Sequence, residues 1–253
     1  MRLKIKHFVV FVTLIGLISC KQDYKTLKKI EGKQISIDSS YTQKASIEEF
    51  VSPYKRRIIE VLDSTLAYAP KAITKTDGEF NTSAGNLMAD IVLSEANPVY
   101  KSRTGKEIDF VLLNHGGIRS IISAGNVSAR SAFEVMPFEN NIVVAEIKGS
   151  NVQEMVSYLI NSGRAHPIAG MQIVLDKNKK LRYAQIKGMP LDPERTYYVA
   201  TSDYLVSGGD DMGFFKNNTL VTDTDYLIRN AMIDYFKKVD TIAPKVDNRF
   251  YME

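Results

Sequence analysis

The chain contains one cysteine, Cys20, placed at the end of an apolar run. With no second thiol, nothing beyond it can be cross-linked internally, so a buried core has to supply the stability of whatever folds. The segment before Cys20 is a poor candidate for that core. Met1 to His7 carries Arg2, Lys4 and Lys6, and Phe8 to Ile18 is apolar. That run is roughly half of the ~20 residues a permanent membrane-spanning helix needs. A basic start, a short apolar stretch and a small residue (Ser19) describe a secretory signal peptide over residues 1–19. A buried N-terminal helix is the alternative, but no polar face interrupts the run.

Leu17-Ile18-Ser19-Cys20 resembles the lipobox of bacterial lipoproteins, which implies cleavage before Cys20 and acylation of its thiol. A free thiol or an intermolecular disulfide is the other use of a lone cysteine. Acyl chains bury methylenes at about 0.8 kcal/mol each, and more than one chain anchors stably. The resemblance implies a bacterial cell-envelope protein held to a membrane by its N-terminal lipid. The remaining residues suffice for one sizeable domain or two fused halves. Apolar content of 44% and charged content of 25% are ordinary globular values. Lys179-Lys180 and Lys237-Lys238 are the densest basic pairs, and such scattered charge does not make a nucleic-acid footprint.

Residues 20–41 are polar and without sustained period, and they read as a flexible tether. A folded domain is expected over 42–253, opening with a helix over 46–66 in which Ser46 caps and Glu49 completes a capping box. Phe50, Tyr54, Ile58, Val61 and Leu62 form its apolar stripe, and Pro53 predicts a kink or restart. Helical spacing recurs over Gly85–Ala96, Asn151–Ile160 and Tyr226–Phe236. Compact apolar runs at Asp109–Leu113, Ile142–Ile147, Met171–Leu175 and Tyr197–Thr201 predict strands. Intermixed helices and strands indicate an α/β or α+β layered domain.

Three loops follow these elements with chemistry-bearing residues. Asn114-His115-Gly116-Gly117-Ile118-Arg119 pairs glycines, which permit tight backbone, with an arginine fork suited to phosphate. Alone, a Gly-Gly after a strand is most often a turn. Met136-Pro137-Phe138-Glu139-Asn140 alone is most often a core phenylalanine after a proline turn. Asp203 to Asp211 sets Gly208-Gly209 beside Asp210-Asp211, too few oxygens for a calcium loop but able to accept from sugar hydroxyls.

In this order and spacing the loops are more specific. Together with Gly85-Asn86-Leu87 and Lys148-Gly149-Ser150, they resemble the C-terminal domain of the bacterial and animal 5'-nucleotidases, from about Gly85 to Phe215. The resemblance implies a layered α/β/β/α fold with mixed sheets, preceded by a linker helix. It implies a nucleotide or nucleoside ligand: Phe138 and Tyr204 sandwich the base, and Asp210 accepts from ribose hydroxyls. Asn114 and Arg119 contact phosphate or orient the substrate, with Gly116 and Gly117 between them, and Asn140 lies near the base.

Two departures qualify this. The family usually carries arginine before Gly85; here 74–84 has none, Gly78 stands about where one is expected, and only Lys75 is cationic. His115 stands where a small residue is common. Family catalysis also belongs to an N-terminal metallophosphatase domain holding two metals. This chain has three histidines, His7, His115 and His166, in no His-x-His or Asp-x-His cluster. The expectation is a binding half with no catalytic residues, metal or cofactor of its own, with divalent metals confined to a separate metallophosphatase partner chain. The alternative is an envelope lipoprotein that captures nucleosides or nucleotides without catalysis, or a scaffold with a vestigial site.

Overall fold

A computed structural model describes residues 10, 27 and 29–253. The expected signal segment 1–19, residue 10 apart, and Cys20 lie outside the described residues. The chain divides into two compact units, 1–50 and 51–253. In the first, residues 29–44 carry neither helix nor strand and are exposed, and a helix then begins, α1 (Ala45–Asp63). Ser46 lies inside α1 and is not its cap, because Ile47 and Glu48 donate their amides to the Lys44 carbonyl. The helix runs unbroken through Pro53 and buries none of its residues.

The second unit is built on a five-stranded mixed sheet. Its elements run β1 (Thr65–Ala69), α2 (Ser83–Thr104), β2 (Phe110–Leu112), β3 (Gly125–Ser128), α3 (Ala129–Val135), β4 (Asn141–Lys148) and α4 (Gly149–Asn161). They continue with β5 (Ile168–Ala169), β6 (Met171–Leu175), β7 (Leu181–Ile186), β8 (Met189–Pro190) and β9 (Thr196–Ser202). Last come α5 (Asp203–Val206), β10 (Leu220–Leu227), α6 (Ile228–Lys238) and β11 (Phe250–Met252). The central sheet has the order β10-β4-β9-β2-β5, a second sheet the order β11-β6-β7-β8, and β1 pairs with β3. The expected mixed α/β layering is what the chain adopts.

Strand chemistry explains the layers. Side chains alternate across a strand, so a strand covered on both faces must be apolar throughout. On β2, Val111 and Leu113 beyond it face one core with α2 and α6, while Phe110 and Leu112 face another with α4 and the second sheet. On β4, Ile142 and Val144 join the first core, Ala145 and Ile147 the second. The helix expected to open at Gly85 starts at Ser83, because the Thr82 hydroxyl accepts from the Gly85 amide at 3.1 Å. It passes Pro98 and ends where Gly105 takes a left-handed φ of 73°.

The segment around Gly78 has a packing reason of its own. A Cβ there would fall 2.1 Å from the Asn81 carbonyl oxygen, so a side chain cannot enter without moving backbone. Asn81 in turn donates to the carbonyls of Asp247 and Phe250, and Asn86 to those of Asn81's side chain and Lys245. The Gly85-Asn86-Leu87 motif therefore ties the segment 245–250 to the start of α2.

Candidate functional site

Strand direction brings the three loops together. β2 and β9 are parallel neighbours, with Phe110 opposite Val199, so the loops leaving their C-terminal ends emerge side by side. β4 is antiparallel to β9, with Ile142 opposite Ser202, so the segment entering β4 reaches the same edge. Ligand crevices form at such strand ends, where backbone polar groups point outward. Here a cavity of about 530 Å³ opens, lined by Asn114, Gly116, Gly117, Arg119, Phe138, Glu139, Asn140, Tyr204 and Asp210. All eight residues singled out from the sequence as ligand contacts line it. Glu139 is the addition.

Asp210 is the most constrained of them. Asn114 Nδ2 donates to its Oδ2 at 2.7 Å and the Tyr204 hydroxyl to its Oδ1 at 3.2 Å. The Tyr158 hydroxyl donates to its backbone carbonyl at 2.8 Å. Asp210 holds left-handed backbone (φ 52°), which a short polar side chain tolerates. Gly209 lets the Tyr204 ring lie over the turn, since a Cβ there would sit 2.4 Å from the ring's Cζ. Burial, then the Asp210 and Asp211 carboxylates, push the Tyr158 hydroxyl pKa up, which keeps it a proton donor.

The glycine loop forms a turn of 3-10 helix, His115–Gly117. His166, 4% exposed, supports it: the His115 amide donates to His166 Nδ1 at 3.3 Å. Acceptance at Nδ1 assigns the proton to Nε2, which is buried without a partner. Burial, with His115 adding to it, pulls the His166 pKa down to about 4, so the ring stays neutral. The side chain of half-buried His115 reaches the Ala165 carbonyl, 3.2 Å from its Nδ1.

The cationic side is thinner. Arg119 is exposed, reaches the Gly116 carbonyl at 3.3 Å, and lies 5.9 Å from the Phe138 ring centroid. Lys75, the lone cation of 74–84, donates to the Ile118 carbonyl at 2.7 Å and braces the loop from behind. Asn140 Nδ2 donates to Asp203 Oδ1 at 2.8 Å, linking the second loop to the third. Phe138 and Tyr204 are 43% and 45% exposed, which is unusual for two aromatics in one cavity wall.

Residues 64–217 match the family described as 5'-nucleotidase, C-terminal domain. The chain belongs to this family. The match starts before the region expected from Gly85 and takes in β1. Among its relatives in the 5'-nucleotidase family, Protein UshA of Yersinia enterocolitica is 33% identical over 136 residues, 51% of this chain and 24% of that protein. Trifunctional nucleotide phosphoesterase protein YfkN of Bacillus subtilis is 26% identical, over 93% of this chain and 17% of its own. The 5'-nucleotidase precursor of Thermus thermophilus shares the fold with a TM-score of 0.68 at 22% identity, over 81% of this chain and 42% of its own. The chain thus spans less than half the length of each of these relatives. Among the described residues, no group of three or more His, Cys, Asp or Glu is placed to hold a metal ion. The His115–His166 pair does not fit one either, because His166 Nδ1 is already an acceptor.

Proposed function

We propose that this chain is the nucleotide- or nucleoside-binding half of a 5'-nucleotidase-type phosphohydrolase, acting with a metallophosphatase chain that supplies the hydrolytic chemistry. One observation carries the reading: two half-exposed rings and a carboxylate fixed by two donors converge on one cavity of ligand size. Phe138 and Tyr204 offer π-faces to a base. Asp210 has two acceptor positions occupied by Asn114 and Tyr204 and retains others for vicinal ribose hydroxyls.

The charge lining the cavity favours a second reading, nucleoside capture without catalysis. Arg119 is the one cation among its lining residues, against Asp210 and Glu139, and Lys75 is engaged with the loop backbone. Calorimetric titration with adenosine and AMP, with and without a candidate metallophosphatase, separates the two. Phosphate release on mixing supports the first reading; equal affinity for both ligands and no release supports capture. Phe138→Ala and Tyr204→Ala are each expected to weaken binding about ten-fold, within the range of one base–aromatic stack. Unchanged affinity in both variants would leave only a scaffold. We further propose export under the 1–19 signal, a tether over 20–41 and lipidation at Cys20, consistent with the relative named Cell wall protein Lmo0130 of Listeria monocytogenes. If Cys20→Ala leaves the protein in the membrane fraction, the anchor is elsewhere.

A further inference from the structure

We propose that Arg229 is the positioning residue that presents Phe138 and Glu139 to the cavity, an inference that rests on the ligand-binding reading of that cavity. Arg229 is the second residue of α6 and is only 6% exposed. A buried guanidinium ordinarily pairs with a carboxylate at hydrogen-bond distance. Here the nearest carboxylate is Glu139, at 3.7 Å, and its side chain is 82% exposed.

The fork instead goes to backbone. Nη1 donates to the carbonyls of Pro137 at 3.2 Å and Phe138 at 3.3 Å, and the guanidinium lies 4.3 Å from the Phe133 ring centroid. One residue earlier, the Ile228 amide donates to the Asn140 carbonyl at 3.1 Å. The first turn of α6 therefore grips both ends of Pro137–Asn140, the segment that carries three cavity residues.

That arrangement is costly for packing alone. Arg229 Nε is buried without a partner, whereas an apolar side chain of similar length would fill the space beside Phe133 with no unpaired donor. What the charge adds is a fixed direction for two successive carbonyls, and hence for the Phe138 Cα–Cβ bond. Pro137 has no amide of its own to help hold the turn. Arg229 is not itself among the residues that line the cavity, so its effect on a ligand has to pass through the loop.

The test uses Arg229→Met and Arg229→Lys in the full chain, first by amide hydrogen exchange without ligand. The Ile228 amide, whose bond to the Asn140 carbonyl belongs to the same grip, is expected to exchange about ten-fold faster in Arg229→Met, while the Arg119 amide, bonded to the Val135 carbonyl, stays unchanged. Adenosine titration then follows in the native and Phe138→Ala backgrounds. About a ten-fold loss in the first and less than a two-fold loss in the second is expected, since coupled residues are non-additive. Unchanged exchange at the Ile228 amide, or an equal loss in both backgrounds, overturns the proposal. If the parent protein binds no adenosine, the functional reading fails, and the exchange arm still decides the latch. Should Arg229→Met fail to fold, Arg229→Lys, which keeps the charge but not the fork, is expected to accelerate exchange of the Ile228 amide to a smaller degree.

Discussion

Asp210 and Arg119 line the same cavity with opposite charge, and the protein holds them differently. Asp210 has its carboxylate fixed by Asn114 and Tyr204 and its carbonyl fixed by Tyr158, three partners drawn from three elements. Arg119 is exposed and makes one long bond to a carbonyl of its own loop. A fixed acceptor loses little entropy when a hydroxyl binds, whereas an exposed arginine with one long bond has to be ordered at the moment of binding. On the proposed reading the preorganised wall would meet the sugar and the loose wall the phosphate.

The largest expected effect sits beneath the rigid wall. The His166 pKa is held at about 4, below the ordinary histidine value, so the unfolded chain binds this proton more readily than the folded one. Its contribution to stability is complete above pH 6.5 and is lost as pH falls from there towards 4. The groups facing it are His115, Asp210, Arg164 and the Tyr158 ring. About 3 kcal/mol should disappear across that window, and His166→Asn, which keeps an acceptor near Nδ1, should flatten it. Denaturant melts at several pH values measure this; an unchanged slope in His166→Asn would place the titration elsewhere.

Next comes Asp210→Ala. It orphans Asn114 and Tyr204 and, on the proposed reading, removes the acceptor for ribose hydroxyls, so adenosine affinity should fall roughly 100-fold, two charge-assisted bonds' worth. The loss should shrink for a 2',3'-dideoxynucleoside; an equal loss for both ligands would mean that Asp210 does not read the sugar. Smallest is Arg119→Gln, expected to change adenosine affinity by less than about three-fold, as exposed charges do. A much larger loss for AMP than for adenosine would show that the loose wall tightens around phosphate and would erase the contrast.

The sequence made the site more legible than the sheet edges. Paired glycines, Pro-Phe and Gly-Gly-Asp-Asp mark loops and alone carry no ligand; their order and spacing carry the family resemblance, and the eight residues that it implies meet in one cavity. The central strands were legible where both faces are buried, as in Phe110–Leu112. β10 was not, because Leu220-Val221-Thr222-Asp223-Thr224-Asp225 forms a half-exposed edge whose polar residues resemble a loop. That hidden strand also explains why the last helix starts at Ile228 and not at Tyr226. Arg229 and His166 carry no such signal, because each acts on backbone atoms 92 and 51 residues away, a relation no local pattern records.

The grip of Asn81 and Asn86 on the segment 245–250 has its own consequence. Both amides reach main-chain oxygens of Lys245, Asp247 and Phe250, and none of these contacts reads a side chain of that segment. These contacts fix the spacing of the segment, while its composition is held separately by buried Phe250 and by the Arg249 fork on Asp90 and Asp247. Inserting or deleting one residue between 245 and 250 would put every carbonyl out of phase with its amide, a frameshift in geometry that substitution could not repair.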